Sequence, residues 1–206
     1  MAKVIILNAP PRTGKDTLAN RICELLKERG VRVHSLSFKL PMFQIAQAML
    51  GAEDYVEFLA AYDDRERKEK PLPVLNGKSP REYMIWLSEE VMKPSFGVNY
   101  FGRRIAGAIS NITRLDGQVV IMSDGGFPEE IDPLMARGHE VHVVRLSRPG
   151  YVFEGSGDSR NYINQPGLST LPNYNEHDVA LVDDAIDDGA AAVINAVFGI
   201  GNSTNW

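Results

Sequence analysis

The chain opens on four consecutive apolar β-formers, Val4-Ile5-Ile6-Leu7, and then breaks into the polar stretch Ala9-Pro10-Pro11-Arg12-Thr13-Gly14-Lys15-Asp16-Thr17. A short unbroken apolar run reads as a strand buried on both faces. Behind the polar stretch, Leu18, Ile22, Leu25 and Leu26 recur at helical spacing up to Arg29-Gly30, which predicts a helix with one inward face. Val31 to Ser37 predicts a second strand. Pro41 to about Tyr62 reads as mostly helical, with Ile45, Met49 and Leu50 inward, and residues 63–79 as an exposed connection. Ser79-Pro80-Arg81-Glu82 has a serine cap, a proline in the first turn and a glutamate three residues after the cap. The helix it starts should turn Tyr83, Met84, Leu87 and Val91 inward and stop before Pro94. Tyr100 to Ile112 predicts another helix. Gln118 to Ser123 predicts the third strand, which delivers Asp124 to its C-terminal end. Glu140 to Leu146 predicts a fourth strand, Val179 to Val182 a short fifth, and Asp188 to Phe198 a closing helix.

Strands separated by helices imply an α/β fold, a parallel five-stranded sheet with helices on both faces. Ligands of such sheets gather at the carboxyl ends of the strands. That places the loop at 9–17, Asp124 and the residues after the fourth strand on one rim. The expected organisation is a single domain over residues 1–198, with a helical acceptor-binding insertion at 41–114 and a lid or acceptor loop at 150–176. Residues 199–206 read as a flexible tail.

Composition adds limits. The 206 residues, 44% hydrophobic, suffice for one well-buried domain and would be cramped for two. No apolar stretch approaches the ~18–20 residues of a membrane span, and no charged-then-apolar leader opens the chain, so a soluble, cytoplasmic protein with no membrane partner is expected. The single cysteine, Cys23, excludes an internal disulfide and reads as a buried thiol, because no basic cluster or helix start would activate it. With 22 basic and 27 acidic residues the net charge is −5, which does not suit a nucleic-acid coat protein but leaves room for a local basic cleft. His34, His139, His142 and His177 show no metal spacing.

The polar stretch carries the chemistry. Strand, glycine loop and helix are the context of the phosphate-binding pattern G-x-x-x-x-G-K-[ST]. Here Ala9 replaces the first glycine, Gly14-Lys15 stand in register, and Asp16 occupies the hydroxyl position with Thr17 one step later. Backbone N–H groups of such a loop form an anion nest, the helix N-terminus adds favourable partial charge, and the lysine reaches the β- and γ-phosphates of a nucleotide. Pro11, Arg12, Thr13, Gly14, Lys15, Asp16 and Thr17 are therefore the candidate nucleotide-binding residues. Asp16, aided by Thr17, is the candidate Mg²⁺ ligand, and a helix N-terminal acid that only complements the dipole is the other reading. No guanine-reading Asn-Lys-x-Asp appears, which argues against a GTP switch, and a motor ATPase is normally larger. The long insertion before the third strand suits a kinase, which must wall its acceptor off from water.

Asp124 is a candidate general base or a Walker-B-type metal organiser, and both roles occur in phosphoryl transfer. Gly125 and Gly126 would let a substrate approach closely. Arg145, Arg148 and Arg160 are candidates for clamping the transferring phosphate or holding the acceptor backbone, with Arg160 in a lid; Arg81 could address the acceptor. Phe101, Phe127 and Tyr162 are better placed than Trp86 to stack on an acceptor base.

Gly14-Lys15-Asp16-Thr17, Ser79-Pro80-Arg81-Glu82, Ser123-Asp124-x-x-Phe127-Pro128-x-Glu130 and Arg145-x-x-Arg148-Pro149-Gly150 together resemble the bacteriophage deoxynucleoside monophosphate kinases, over residues 3 to about 197. The resemblance implies a P-loop kinase fold, ATP and Mg²⁺. Those kinases typically read Asp-x-Arg-Phe at the strand end, whereas this chain has Asp124-Gly125-Gly126-Phe127 and so lacks the arginine that suits an acceptor phosphate. Together with Asp158-Ser159-Arg160-x-Tyr162, the stretch looks more like the phage 5-hydroxymethyluridine DNA kinases. That likeness implies an acceptor hydroxymethyl group on a pyrimidine in DNA, substrate contacts from Asp158 and Tyr162, and action in the host cytoplasm. A free deoxynucleoside monophosphate is the alternative acceptor.

Overall fold

The computed structural model describes residues 1–113, 117–125, 127–155, 160–168 and 170–199. The tail expected at 199–206 thus lies, but for Gly199, outside the described residues. The opening apolar run becomes β1 (Ala2–Asn8), the middle strand of a five-stranded sheet. Around it stand β2 (Val33–Leu36), β3 (Gln118–Met122), β4 (Glu140–Ser147) and β5 (Tyr174–Ala180), in the order β2-β3-β1-β4-β5. All four strand pairs are parallel. Successive residues of a strand face opposite sides, and the sheet buries both. On one side α1 (Lys15–Glu28) and α7 (Ile186–Phe198) pack Leu18, Ile22, Val193 and Ile194 on Ile5, Leu7, Ile121 and Val144. On the other, α5 (Tyr100–Ile112) and α6 (Asp132–Ala136) pack Ile105, Ile109 and Leu134 on Val4, Ile6, Val120 and Val143.

Between β2 and α5 the chain builds a third core of its own. Helices α2 (Leu40–Asp63), α3 (Pro80–Trp86) and α4 (Lys93–Phe96) belong to this region, where Phe58, Ala61, Tyr83 and Leu87 gather into one cluster. The residues of α5 divide between the two regions: Ile105 and Ile109 face the sheet, while Phe101 joins this third cluster.

Several elements differ from the sequence reading, each for a physical reason. Met49 is exposed rather than inward, because α2 breaks at Gly51 (φ 77°, ψ 178°); Ile45 and Leu50 pack partly buried against the third cluster, and Ala46, Phe58 and Ala61 are the fully inward positions. Helical structure does not stop before Pro94. A π-turn over Leu87–Met92 continues α3 into α4, where Pro94 falls in the first turn and its missing N–H is tolerated. The wider turn adds a residue, so Met92 is buried where a 3.6-residue period would have chosen Val91, which is only partly buried. The fifth strand begins at Tyr174, five residues before Val179, and ends at Ala180; Val182 lies outside it and is exposed. Its polar stretch Asn175 to Asp178 hid it, because an edge strand can present charges to its neighbour rather than to a core.

Candidate active site

β1 ends between β3 and β4, at the point where the strand order reverses, and the phosphate loop leaves from there. Gly14, with φ 92°, takes a left-handed conformation that glycine adopts without steric cost, and it caps α1. Leu18 N–H donates to its carbonyl. Ala9 is buried and has no positive φ, so this loop does not demand the pattern's first glycine. Thr13 Oγ1 donates to the Pro10 carbonyl at 2.7 Å, and Lys15 Nζ donates to the same carbonyl at 3.2 Å. Lys15 is 8% exposed, so its ammonium lies inside the curve of the loop and does not face open solvent as a helix start suggests. Pro11 and Arg12 lie on the cleft side, Arg12 with a left-handed φ of 65°. Thr17 is exposed on the first turn of α1.

Asp16 is also exposed there, and Ser123 at the end of β3 donates its hydroxyl to Asp16 Oδ1 at 2.6 Å. Asp124, one residue further, points to the other side of the sheet. Its Oδ1 accepts from Phe38 N–H at 3.0 Å, and its Oδ2 accepts from the Ser37 hydroxyl and from Lys39 N–H. The carboxylate thereby pins the loop between β2 and α2. Gly125 is buried against the core: a Cβ there would sit 2.2 Å from Ile6 Cγ2 and 3.3 Å from Phe38 Cε2. Its glycine serves packing, not the close approach of a substrate. Gly126 and Asp158 lie outside the described residues.

The arginines divide. Arg148 donates to the Thr13 carbonyl at 3.2 Å and pairs with Asp183 at 2.6 Å, which sets it on the phosphate loop. Arg160 donates to the Asp124 carbonyl at 3.1 Å and lines the cleft. Arg145 is not free to clamp phosphate. It grips Asp178 with two bonds of 2.7 and 2.8 Å, and also reaches Glu176 and the Ile163 carbonyl. These contacts raise its own pKa and hold the Asp178 carboxyl below the usual range. Glu176 is lowered too: burial opposes its charge, but Tyr174, Gln165 N–H and Arg145 outweigh it. Tyr162 donates its hydroxyl to the Leu146 carbonyl and packs edge-on against Phe153, with burial pushing its pKa up; it is not part of the cleft wall.

Loop, β3 end and insertion enclose one cleft of about 840 Å³. Phe101 and Phe127 form part of its wall, while Trp86, half-buried against Tyr83, does not. Arg81 lines it and pairs with Glu69 at 2.7 Å; Lys93 lines it between Glu89 and Glu129. Arg12 and Lys39 line it with no ion pair among the described residues.

Sequence reasoning missed Asn8, Ser37 and Lys39. Asn8 is fully buried, accepts from Ile163 N–H at 2.7 Å and donates to the Asn161 and Gly125 carbonyls, so it ties the 160–163 segment to the loop. The signal was present: an amide closing an apolar strand has to find partners.

The donor set suits Mg²⁺. That ion keeps several waters and takes one or two carboxylates besides phosphate oxygens, which Asp16 beside Ser123 can supply. No cluster of three metal-ligating side chains exists among the described residues, so a cage built of protein alone is not offered there.

No family model and no curated protein matches this chain. Among solved structures it is similar to an APS kinase from Mycobacterium tuberculosis, at 13% identity over 96% of this chain and 97% of that one, with a TM-score of 0.48. A sugar kinase from Janibacter sp. matches at 13% identity over 96% and 95%, TM-score 0.47. A gluconokinase from Sinorhizobium meliloti matches at 10% identity over 96% and 92%, TM-score 0.44. This chain's own five-stranded parallel sheet with helices on both faces is an α/β fold. At TM-scores below 0.5 these likenesses carry no inference about the site, whose chemistry rests on its own residues.

Proposed function

We propose that this chain is an ATP-dependent P-loop kinase that transfers the γ-phosphoryl group to the hydroxymethyl group of 5-hydroxymethyl-deoxyuridine in DNA. The observation that carries the kinase reading is the single cleft in which phosphate-loop residues Pro11 and Arg12 face the insertion's Arg81, Met84 and Phe101. Donor and acceptor held in one cavity turn a bimolecular transfer into an effectively unimolecular one. Phe101 and Phe127 offer flat apolar surface to a pyrimidine, and the cations of the wall offer partners for backbone phosphates. A base in DNA would enter single-stranded or flipped out.

In this reading the loop amides and Lys15 hold the β- and γ-phosphates, and Arg148 steadies the loop through Thr13. Bound Mg²⁺ would neutralise charge developing between those phosphates, with Asp16 on its water shell. Arg160 reaches the rim where the phosphoryl group passes. Asp124 already accepts three hydrogen bonds, so it orients the β2–α2 loop and the acceptor wall. The loose transition state of phosphoryl transfer asks for a well-aimed hydroxyl more than for a strong base.

The occupied Asp124 carboxylate also favours a second reading. A deoxynucleoside monophosphate needs cations and no base, and Arg12 and Lys39 are unpaired in the cleft among the described residues. Transfer of label from γ-labelled ATP, run in parallel on hydroxymethyluracil-containing DNA and on a panel of deoxynucleoside monophosphates, decides between them. Labelled DNA with unlabelled monophosphates is the expected result. The opposite pattern promotes the monophosphate kinase, and acceptor-independent ATP turnover would leave only a nucleotide-dependent binding protein.

A further inference from the structure

Phosphate-loop enzymes commonly set two groups around their cation: a hydroxyl from the residue after the loop lysine, and a carboxylate from the end of a neighbouring strand. Here both positions are filled, but with the groups exchanged. The residue after Lys15 is the carboxylate Asp16, and the residue at the end of β3 that faces α1 is the hydroxyl Ser123. The alternation of β3 fixes that assignment. Val119 and Ile121 face the α1 side and Val120 and Met122 the α5 side, so Ser123 continues the first set and Asp124 the second. Asp124 is the acid that sequence suggests for the strand-end role. Yet its two oxygens are held by Ser37, Phe38 and Lys39 on the far side of the sheet.

We propose that Asp16 and Ser123 are a transposed form of this cation-holding pair. Asp16 supplies the negative charge; Ser123 donates to Oδ1 and fixes the carboxylate's orientation, which leaves Oδ2, without a bond among the described residues, for the cation's water shell. Ser123 is thus a positioning residue, and Asp124 is a rivet for the β2–α2 loop. The assignment rests on the nucleotide site proposed above.

The test is Mn²⁺ binding in the presence of a non-hydrolysable ATP analogue, followed by electron paramagnetic resonance, so that the readout does not depend on turnover. Asp16→Asn and Ser123→Ala should each weaken Mn²⁺ binding by about 10-fold or more, the usual range for a ligand's supporting partner. Combining them should add little to Asp16→Asn alone, because Ser123 acts through Asp16. The exchange Asp16→Ser with Ser123→Asp should recover most of the affinity. Asp124→Asn should stay within about 2-fold of the parent, as expected of a residue outside the coupled pair. Additive losses, or a loss in Asp124→Asn with Asp16→Asn unaffected, overturn the transposition. The double-mutant comparison decides the matter even if the exchanged variant does not fold. Binding of the analogue without metal, in Lys15→Ala, separates the two levels. Unchanged binding there removes the nucleotide site itself, whereas weakened binding with Mn²⁺ affinity intact in the Asp16 and Ser123 variants removes only the exchange.

Discussion

Lys15 and Gly125 are both conspicuous in the sequence, and the structure gives them opposite kinds of work. Lys15 is held inside the phosphate loop on the Pro10 carbonyl, a bond that a phosphate oxygen can replace. Lys15→Ala should leave the fold intact and lower phosphoryl transfer by about 10²-fold or more, the scale of a lost electrostatic contact to the transition state; circular dichroism with single-turnover kinetics checks both halves. Gly125 sits where a Cβ would lie 2.2 Å from Ile6 Cγ2. Gly125→Ala should therefore act through stability, costing about 1–3 kcal/mol by overpacking, and show as a lowered Tm with nucleotide binding retained at low temperature. A glycine beside a suspected active site looks the same in sequence whether space is needed for substrate or for a core side chain. Only the neighbour across the sheet decides it. The same blindness applied to Arg145, whose partners Glu176 and Asp178 sit on β5, far along the chain. The geometry of the loop residues is legible by contrast, because Gly14, Thr13 and Lys15 are placed by backbone local to the motif.

At the scale of elements, signals that depend on local chemistry were legible and those that depend on periodicity were less so. The Ser79 cap is formed as its sequence demands: Glu82 N–H donates to Ser79 Oγ at 3.2 Å, and Ser79 N–H donates to Glu82 Oε2 at 2.8 Å. Those bonds hold the Glu82 carboxyl below its ordinary range. Ser79→Ala should cost about 1 kcal/mol. Since α3 belongs to the insertion's own core, the loss should appear as faster amide hydrogen exchange in α3 than in β1 or β3. Equal acceleration across the sheet would mean that insertion and sheet open as one unit. The π-turn after α3 and the break at Gly51 had no comparable signature, because each shifts a helical face by a fraction of a turn and leaves the composition unchanged. The central strands were legible because both faces are buried and each carries an apolar run, Val4–Leu7 in β1 and Val119–Met122 in β3. β5 was legible only at its end, Val179 and Ala180, because the rest of an edge strand can be specified by ion pairs to its neighbour.

Across the whole molecule, a partly buried polar cluster around the buried His142 lies on the α1–α7 side of the sheet, at the opposite ends of the strands from the phosphate loop. Lys3 Nζ donates to Glu140 Oε1 at 2.6 Å, His142 contacts Glu140, Lys3 and His177 at 2.9 Å each, and the Phe198 ring covers Lys3. Burial, and then the charge of Lys3, push His142 down from 6.5 to about 4. His139 and His177 are lowered as well, chiefly by burial. Between pH 6.5 and about 4 the unfolded chain therefore binds protons at His142 that the folded chain refuses. Stability must rise with pH across that window and level off above it. His142 alone accounts for a loss on the order of 2–3 kcal/mol by pH 4, since each pH unit between its unfolded and folded pKa contributes about 1.4 kcal/mol. The carboxyls of Glu140, Glu176 and Asp178, each held below its ordinary value, extend the loss to lower pH as they protonate. Urea unfolding measured from about pH 8 to about pH 4 should show a plateau above pH ~7 and a steady decline below it. His142→Gln removes the titrating group and should make the decline shallower, even if it lowers the plateau. A parent profile flat down to about pH 4, or a slope unchanged by His142→Gln, would show that this cluster takes up its proton without leaving the folded state.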